Sequence, residues 1–69
     1  MIIRFHVIRD EDISGVSGTG VVAEAAMFDN GKVVIGWLVE PFSLSIHDSM
    51  TAANQVHGHG GKTRFVALD

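Results

Sequence analysis

The residues best suited to chemistry in this chain are its four histidines, and two of them sit in one glycine-rich loop. His57-Gly58-His59-Gly60-Gly61-Lys62 places two imidazoles one residue apart, and an extended loop can turn two such ligands onto one ion. Imidazole nitrogen suits zinc, copper, iron or nickel, so His57 and His59 are candidate ligands for a divalent metal. A closed structural zinc site needs four ligands, and the chain has no cysteine. His47, His6, Glu24 or Asp69 would have to complete the site from elsewhere. The plainer reading is that these imidazoles hydrogen-bond loop carbonyls between glycines and fix the end of a helix. In either role their near-neutral titration makes the loop pH-sensitive.

A second loop, Asp10 to Gly20, opens with Asp10-Glu11-Asp12-Ile13-Ser14-Gly15. This matches the first half of a calcium loop, D-x-D-x-S-G, in which oxygen ligands at alternate positions converge on a hard cation. Asp10 and Asp12 are therefore further metal candidates. The match then fails, because the twelfth position is Val21 rather than a bidentate Glu, and the flanking pattern is strand-like. An acidic turn whose side chains cap their own backbone is the better reading.

Gly61-Lys62-Thr63 suggests a phosphate loop, but the first glycine of that motif would fall on Val56 and no helix follows. Gly15, Gly18 and Gly20 have the wrong order for a dinucleotide fingerprint. Ser14, Ser17 and the histidines form no nucleophile–base spacing. No complete catalytic set emerges, so a non-enzymatic protein is expected, with no cofactor beyond that divalent metal.

The elements that must hold these loops are mostly strands. Ile3, Phe5 and Val7 alternate with Arg4 and His6, which makes Ile2 to Arg9 a strand. Val21 to Phe28 and Val33 to Glu40 flank Asp29-Asn30-Gly31-Lys32, and Asn-Gly between apolar runs predicts a type I′ hairpin. Asp29 and Lys32 would then form a cross-strand charge pair. Counting from that turn puts Phe28, Ala26, Val22, Val33, Ile35, Trp37 and Val39 on one face, interrupted only by Glu24. Met27, Ala25, Ala23, Val21, Val34, Gly36 and Leu38 occupy the other, which ends at Glu40. Both faces are apolar, whereas a hairpin on the outside of a monomer alternates with polar residues. Each face must therefore be shielded, one by the chain itself and the other by a neighbour or by a closed sheet.

Pro41 falls at a strand end, where its missing N–H is tolerated. Phe42, Leu44 and Ile46 alternate with serines and His47, predicting a half-exposed strand with the three large residues inward. Asp48 or Ser49 can cap a helix over Met50 to His57, with Met50, Ala53 and Val56 on its inner side and Gly58 ending it. Thr63 to Leu68 is a closing strand. The expected fold is mainly β, one domain over residues 1–69 in the order β-β-β-β-α-β. It is a small five-stranded, partly open barrel of SH3-like or similar shape, with one short helix before the last strand. Closure would also hide the strand edges.

Composition points the same way. A chain of 69 residues buries only about 60% of the surface its unfolded form exposes, so it needs a staple. Disulfides are excluded, charged residues are only 19%, and mean hydropathy is +0.28. Few charges remain to wet so small a body, and apolar surface should be buried against another chain, most simply a second copy. Trp37, Leu38, Val34 and Met27 are the expected interaction surface, with Trp37 a core or interface aromatic rather than a ligand-stacking platform. The net charge of −3 gives no drive toward phosphate backbones, so no nucleic acid is expected. No apolar run is long enough to cross a bilayer and the start does not read as a secretory signal, so the expected location is cytoplasmic.

The two loops also carry a resemblance. Arg9 to Gly20 (RDEDISGVSGTG), Val22-Ala23-Glu24, Trp37 and Val56 to Thr63 (VHGHGGKT) resemble small proteins of actinobacteria, their phages and some archaea. That group brings no established activity and hence no catalytic residues. The resemblance implies a complete protein rather than a fragment, and a phage setting implies docking on a partner protein. The expected function is a protein-binding or regulatory module acting as a homo-oligomer or on a partner, with a metal-binding protein or metal-dependent enzyme using the His57–His59 loop as the alternative.

Overall fold

The structure is a computed structural model that describes residues 1–11 and 19–68, and of His59 only the backbone. Five strands, β1 (Ile3–Arg9), β2 (Gly20–Met27), β3 (Val33–Trp37), β4 (Leu44–His47) and β5 (Thr63–Ala67), form one antiparallel sheet in the order β4-β3-β2-β1-β5. The helix α1 (Met50–His57) and a short turn, His59–Gly61, precede β5. The expected element order and the position of the helix are both found. The sheet does not close: β4 and β5 are its two edges.

The helix begins where its cap dictates. The Ser49 hydroxyl accepts the Ala52 N–H at 3.0 Å, satisfying one of the first-turn donors. It ends at Gly58, whose N–H returns to the Asn54 carbonyl at 2.8 Å. A β-carbon at Gly58 would stand 2.5 Å from that same carbonyl oxygen, so the close approach requires glycine. The residues turned toward the sheet are Met50, Ala53 and His57, whereas Val56, expected inward, is exposed. The i, i+3, i+7 stripe is set by Ala53, which is fully buried and small enough to let the helix lie close on the strands.

The hairpin between β2 and β3 departs from its expected turn. Gly31 N–H donates to the Phe28 carbonyl and Phe28 N–H to the Lys32 carbonyl, both at 2.9 Å. Gly31 takes φ 86°. This is a three-residue loop with one left-handed residue rather than a two-residue type I′ turn. Met27 therefore faces Val33, where the two-residue turn would have placed Phe28. A one-residue shift flips every side chain of a strand to the other face. Met27, Ala25 and Ala23 accordingly share a face with Val33, Ile35 and Trp37, and Glu24 goes to the opposite face across from Gly36. The shift relieves what the expected register would have imposed, a carboxylate among Ile35 and Trp37 beneath the helix. The expected Asp29–Lys32 pair is absent. Asp29 instead meets the terminal amine of Met1, and Lys32 Nζ reaches Asp48 Oδ1 at 3.1 Å.

The sheet thus has a covered and an open face. Between sheet and helix the buried core is Val7, Val22, Ala23, Ala25, Val33 and Ile35 from the strands and Ala53 from the helix, with Phe5, Met27, Trp37, Met50 and Phe65 packed against them. Val22 joins this set because β2 bulges opposite the Val7–Ile8 step, so that Val22 and Ala23 are both buried. Strand β4 is turned over relative to expectation. Ser45 pairs with Ile35 and His47 with Val33, which carries these two polar residues to the covered face. Leu44 and Ile46 point out at 71% and 74% exposure, and Phe42, also expected inward, is exposed. The physical reason is Trp37: its half-buried indole N–H needs an acceptor, and the Ser45 hydroxyl provides one at 2.9 Å.

Candidate functional site

Three aromatic side chains meet at the edge of the covered face. The His47 and His57 Nε2 atoms stand 3.0 Å apart, with ring centroids 5.0 Å apart and planes at 77°. The Trp37 ring packs edge-on to His57, also at 5.0 Å between centroids. Strand β4 supplies His47 and the last turn of α1 supplies His57, and both are half-buried. At 3.0 Å one nitrogen donates and the other accepts, so the pair holds at least one neutral ring. Two imidazole ligands on a tetrahedral metal at 2.0–2.1 Å would stand about 3.3 Å apart, so a small opening would turn this hydrogen bond into a chelate. His47, in the sequence only a distant candidate, is the partner the structure gives His57. The signal was the alternation that puts His47 two residues after Ser45.

Of the other expected ligands, the side chain of His59 and all of Asp12 lie outside the described residues. Asp10 is engaged by Arg64, whose Nε and Nη2 donate to its two oxygens at 2.7 and 2.9 Å. These hydrogen bonds, aided by the charge, hold the Asp10 carboxyl below the usual carboxylate range and raise the Arg64 guanidinium. Glu11 accepts from Lys62 at 3.4 Å. The described ends of the two glycine loops therefore adjoin, since Asp10 N–H also donates to the Lys62 carbonyl at 2.7 Å. Among the described residues no group of three or more His, Asp or Glu side chains is placed to hold a metal ion.

The open face has no helix over it. Its strand registers make three rows, Ile46–Val34–Ala26–Arg4, Leu44–Gly36–Glu24–His6–Val66 and Val21–Ile8–Arg64, and Leu68 extends the first by bonding the Arg4 carbonyl. A shallow concavity of about 350 Å³ opens here, lined by Arg4, Glu24, Ala26, Val34, Gly36, Leu44 and Leu68 among others. Charge is confined to the β1–β2 side, and the β3–β4 side is apolar throughout. Among the described residues eleven large hydrophobic side chains are exposed, against seven buried hydrophobic residues, three of them alanine. The expected interaction residues do not share one surface. Val34 lies on the open face, Leu38 is exposed beyond the end of β3, and Met27 and Trp37 pack on the core.

Among the described residues no helix is long and apolar enough to cross a membrane. No curated protein and no solved structure matches the chain. A family model described as Acb5 phage protein matches residues 2–69, in keeping with the phage setting that the loop residues imply. With the match spanning nearly the whole chain, the protein belongs to the Acb5 phage protein family.

Proposed function

We propose that this protein is a non-enzymatic binding module of the cytoplasm whose working surface is the open face of its sheet, and that a second copy of the chain covers that face. The observation that carries this reading is the uncovered apolar half of the sheet, where Leu44 and Ile46 stand 71% and 74% exposed beside Val34 and Gly36. A side of sheet left to water would alternate with polar residues. A second copy suits the pattern because the patch is self-complementary: a two-fold axis over β3 and β4 stacks apolar rows on each other and leaves Arg4, Glu24 and His6 at the rim. It also answers the stability problem, since a core of seven small residues is thin for a domain of this size. Sedimentation equilibrium across a hundredfold concentration range tests the reading. A concentration-dependent mass approaching twice 7.4 kDa supports it, and a fixed monomer mass at the highest concentration refutes it.

The convergent nitrogens of His47 and His57 favour a second reading, a transition-metal site at the helix end. Copper(II) bound there would quench Trp37, whose ring lies 5.0 Å from that of His57. Saturable quenching that disappears in His57→Ala supports the site; quenching equal in both proteins removes it.

A further inference from the structure

The covered face carries an anomaly at its far end. The alternation Ile3, Phe5, Val7 continues to Arg9, and Arg9 pairs with Gly20 on β2 and Thr63 on β5. The last row beneath the helix end is thus Gly20–Arg9–Thr63. Arg9 is only 7% exposed and Thr63 only 2%. Neither the Arg9 Nε nor the Thr63 Oγ1 has a hydrogen-bond partner among the described residues. A buried donor left without an acceptor costs about 1–3 kcal/mol. The nearest acid in sequence gives no relief, because Asp10 points to the other face and is held by Arg64. Gly20, with φ 88°, leaves open space where a side chain would stand beside Arg9.

We infer that Arg9 and Thr63 form a site for an oxyanion. A guanidinium edge presents its N–H groups in a fixed fork that matches the oxygens of a phosphate or a carboxylate. The Thr63 hydroxyl, on the neighbouring strand and the same face, donates to a further oxygen of the same group. Side chains directly opposite across an antiparallel pair have β-carbons about 5 Å apart, a span one tetrahedral or planar oxyanion bridges. The anion removes both unsatisfied groups at once, so it binds the folded state and stabilises it. The shared chemistry is an oxyanion with at least two acceptor oxygens, whether a phosphoryl or a carboxylate group.

The test is a titration of the full chain with inorganic phosphate, and separately with acetate, against sodium chloride at equal ionic strength. The Arg9 Nε–H resonance is followed by NMR and melting by circular dichroism. Saturable movement of the Nε–H signal with either anion is the expected result, and the anion that acts identifies the phosphoryl or carboxylate class. At a hundredfold excess over Kd the melting temperature should rise by roughly 11–22 °C. Arg9→Met should abolish this rise while melting no lower than wild type in chloride, since an apolar chain replaces a buried donor left without a partner. Thr63→Val should weaken binding about tenfold. No saturable movement of the Arg9 signal with either anion overturns the inference, as does an equal rise in the Arg9→Met protein. Should that variant not fold, the wild-type NMR titration decides alone.

Discussion

Replacing Leu44 and Ile46 together by threonine separates a working surface from an idle one. Both side chains lie on β4, point away from the helix, and stand 71% and 74% exposed. Threonine has the β-branched shape that strands favour, so the single chain should fold as before, with stability changed by no more than ~0.5 kcal/mol. Buried against a second copy, the same residues would matter. Full burial of a leucine or isoleucine contributes about 1.5–3 kcal/mol, and roughly three-quarters of that is still to be gained here, or about 1–2 kcal/mol each. A two-fold pair buries four such side chains, about 4–8 kcal/mol in all. If threonine retains about half of this through its methyl group, the pair weakens by about 2–4 kcal/mol, a rise in Kd of about 30- to 1000-fold. Sedimentation equilibrium measures that Kd, and thermal melting at high dilution measures the single chain. A Kd unchanged within a few-fold would show that these residues are not buried on association. A large drop in the dilute-sample melting temperature would show that they already support the lone fold, against their exposure.

Two further perturbations probe the covered face and the loop ends. Ser45→Ala strips the half-buried Trp37 N–H of its acceptor, which stands 2.9 Å away. The loss should be about 1–2 kcal/mol, lowering the melting temperature by roughly 4–8 °C or more and altering the emission of the only tryptophan. An unchanged melting point would mean that water replaces the serine at no cost. Asp10 is held below the usual carboxylate range chiefly by the Arg64 hydrogen bonds, so its contribution is present above the unfolded value and fades as pH falls through the lower folded one. Melting curves between pH 5 and pH 2 should therefore fall more steeply for wild type than for Asp10→Asn. Identical slopes would remove the pair from the stability of the loop junction.

Most of the fold was legible because it rests on local signals. The Ser49 cap, the glycine after His57 and the period-two run of β1 each act within a few residues, and each element formed where those signals placed it. The failures share one cause, which is register. Asn30-Gly31 marks a hairpin reliably, yet two-residue and three-residue loops both satisfy it, and the choice rests on which face carries Glu24. Strand β4 misled in the same way. Phe42, Leu44 and Ile46 read as an inner face by hydrophobicity alone, but a buried indole N–H weighs more than an exposed leucine, and the Trp37–Ser45 bond decides the strand's orientation. Arg9 was legible and passed over: an arginine that continues the phase of Ile3, Phe5 and Val7 is an announcement that the covered face ends in a buried polar side chain.

These register choices also generate the surface on which the functional reading stands. Once Ala23 and Ala25 face the helix, they give it close contact but little bulk, and the core stays small. The bulk that could have filled that core, at Leu44 and Ile46, is sent to the other side to leave Ser45 and His47 inward. The same decision therefore sets the indole hydrogen bond, brings two imidazoles together, and strips the open face of polar residues on its β3–β4 half. On the proposed reading, a chain that gives up its own core in this way finds its largest remaining source of stability, the burial of that open half, in a second copy.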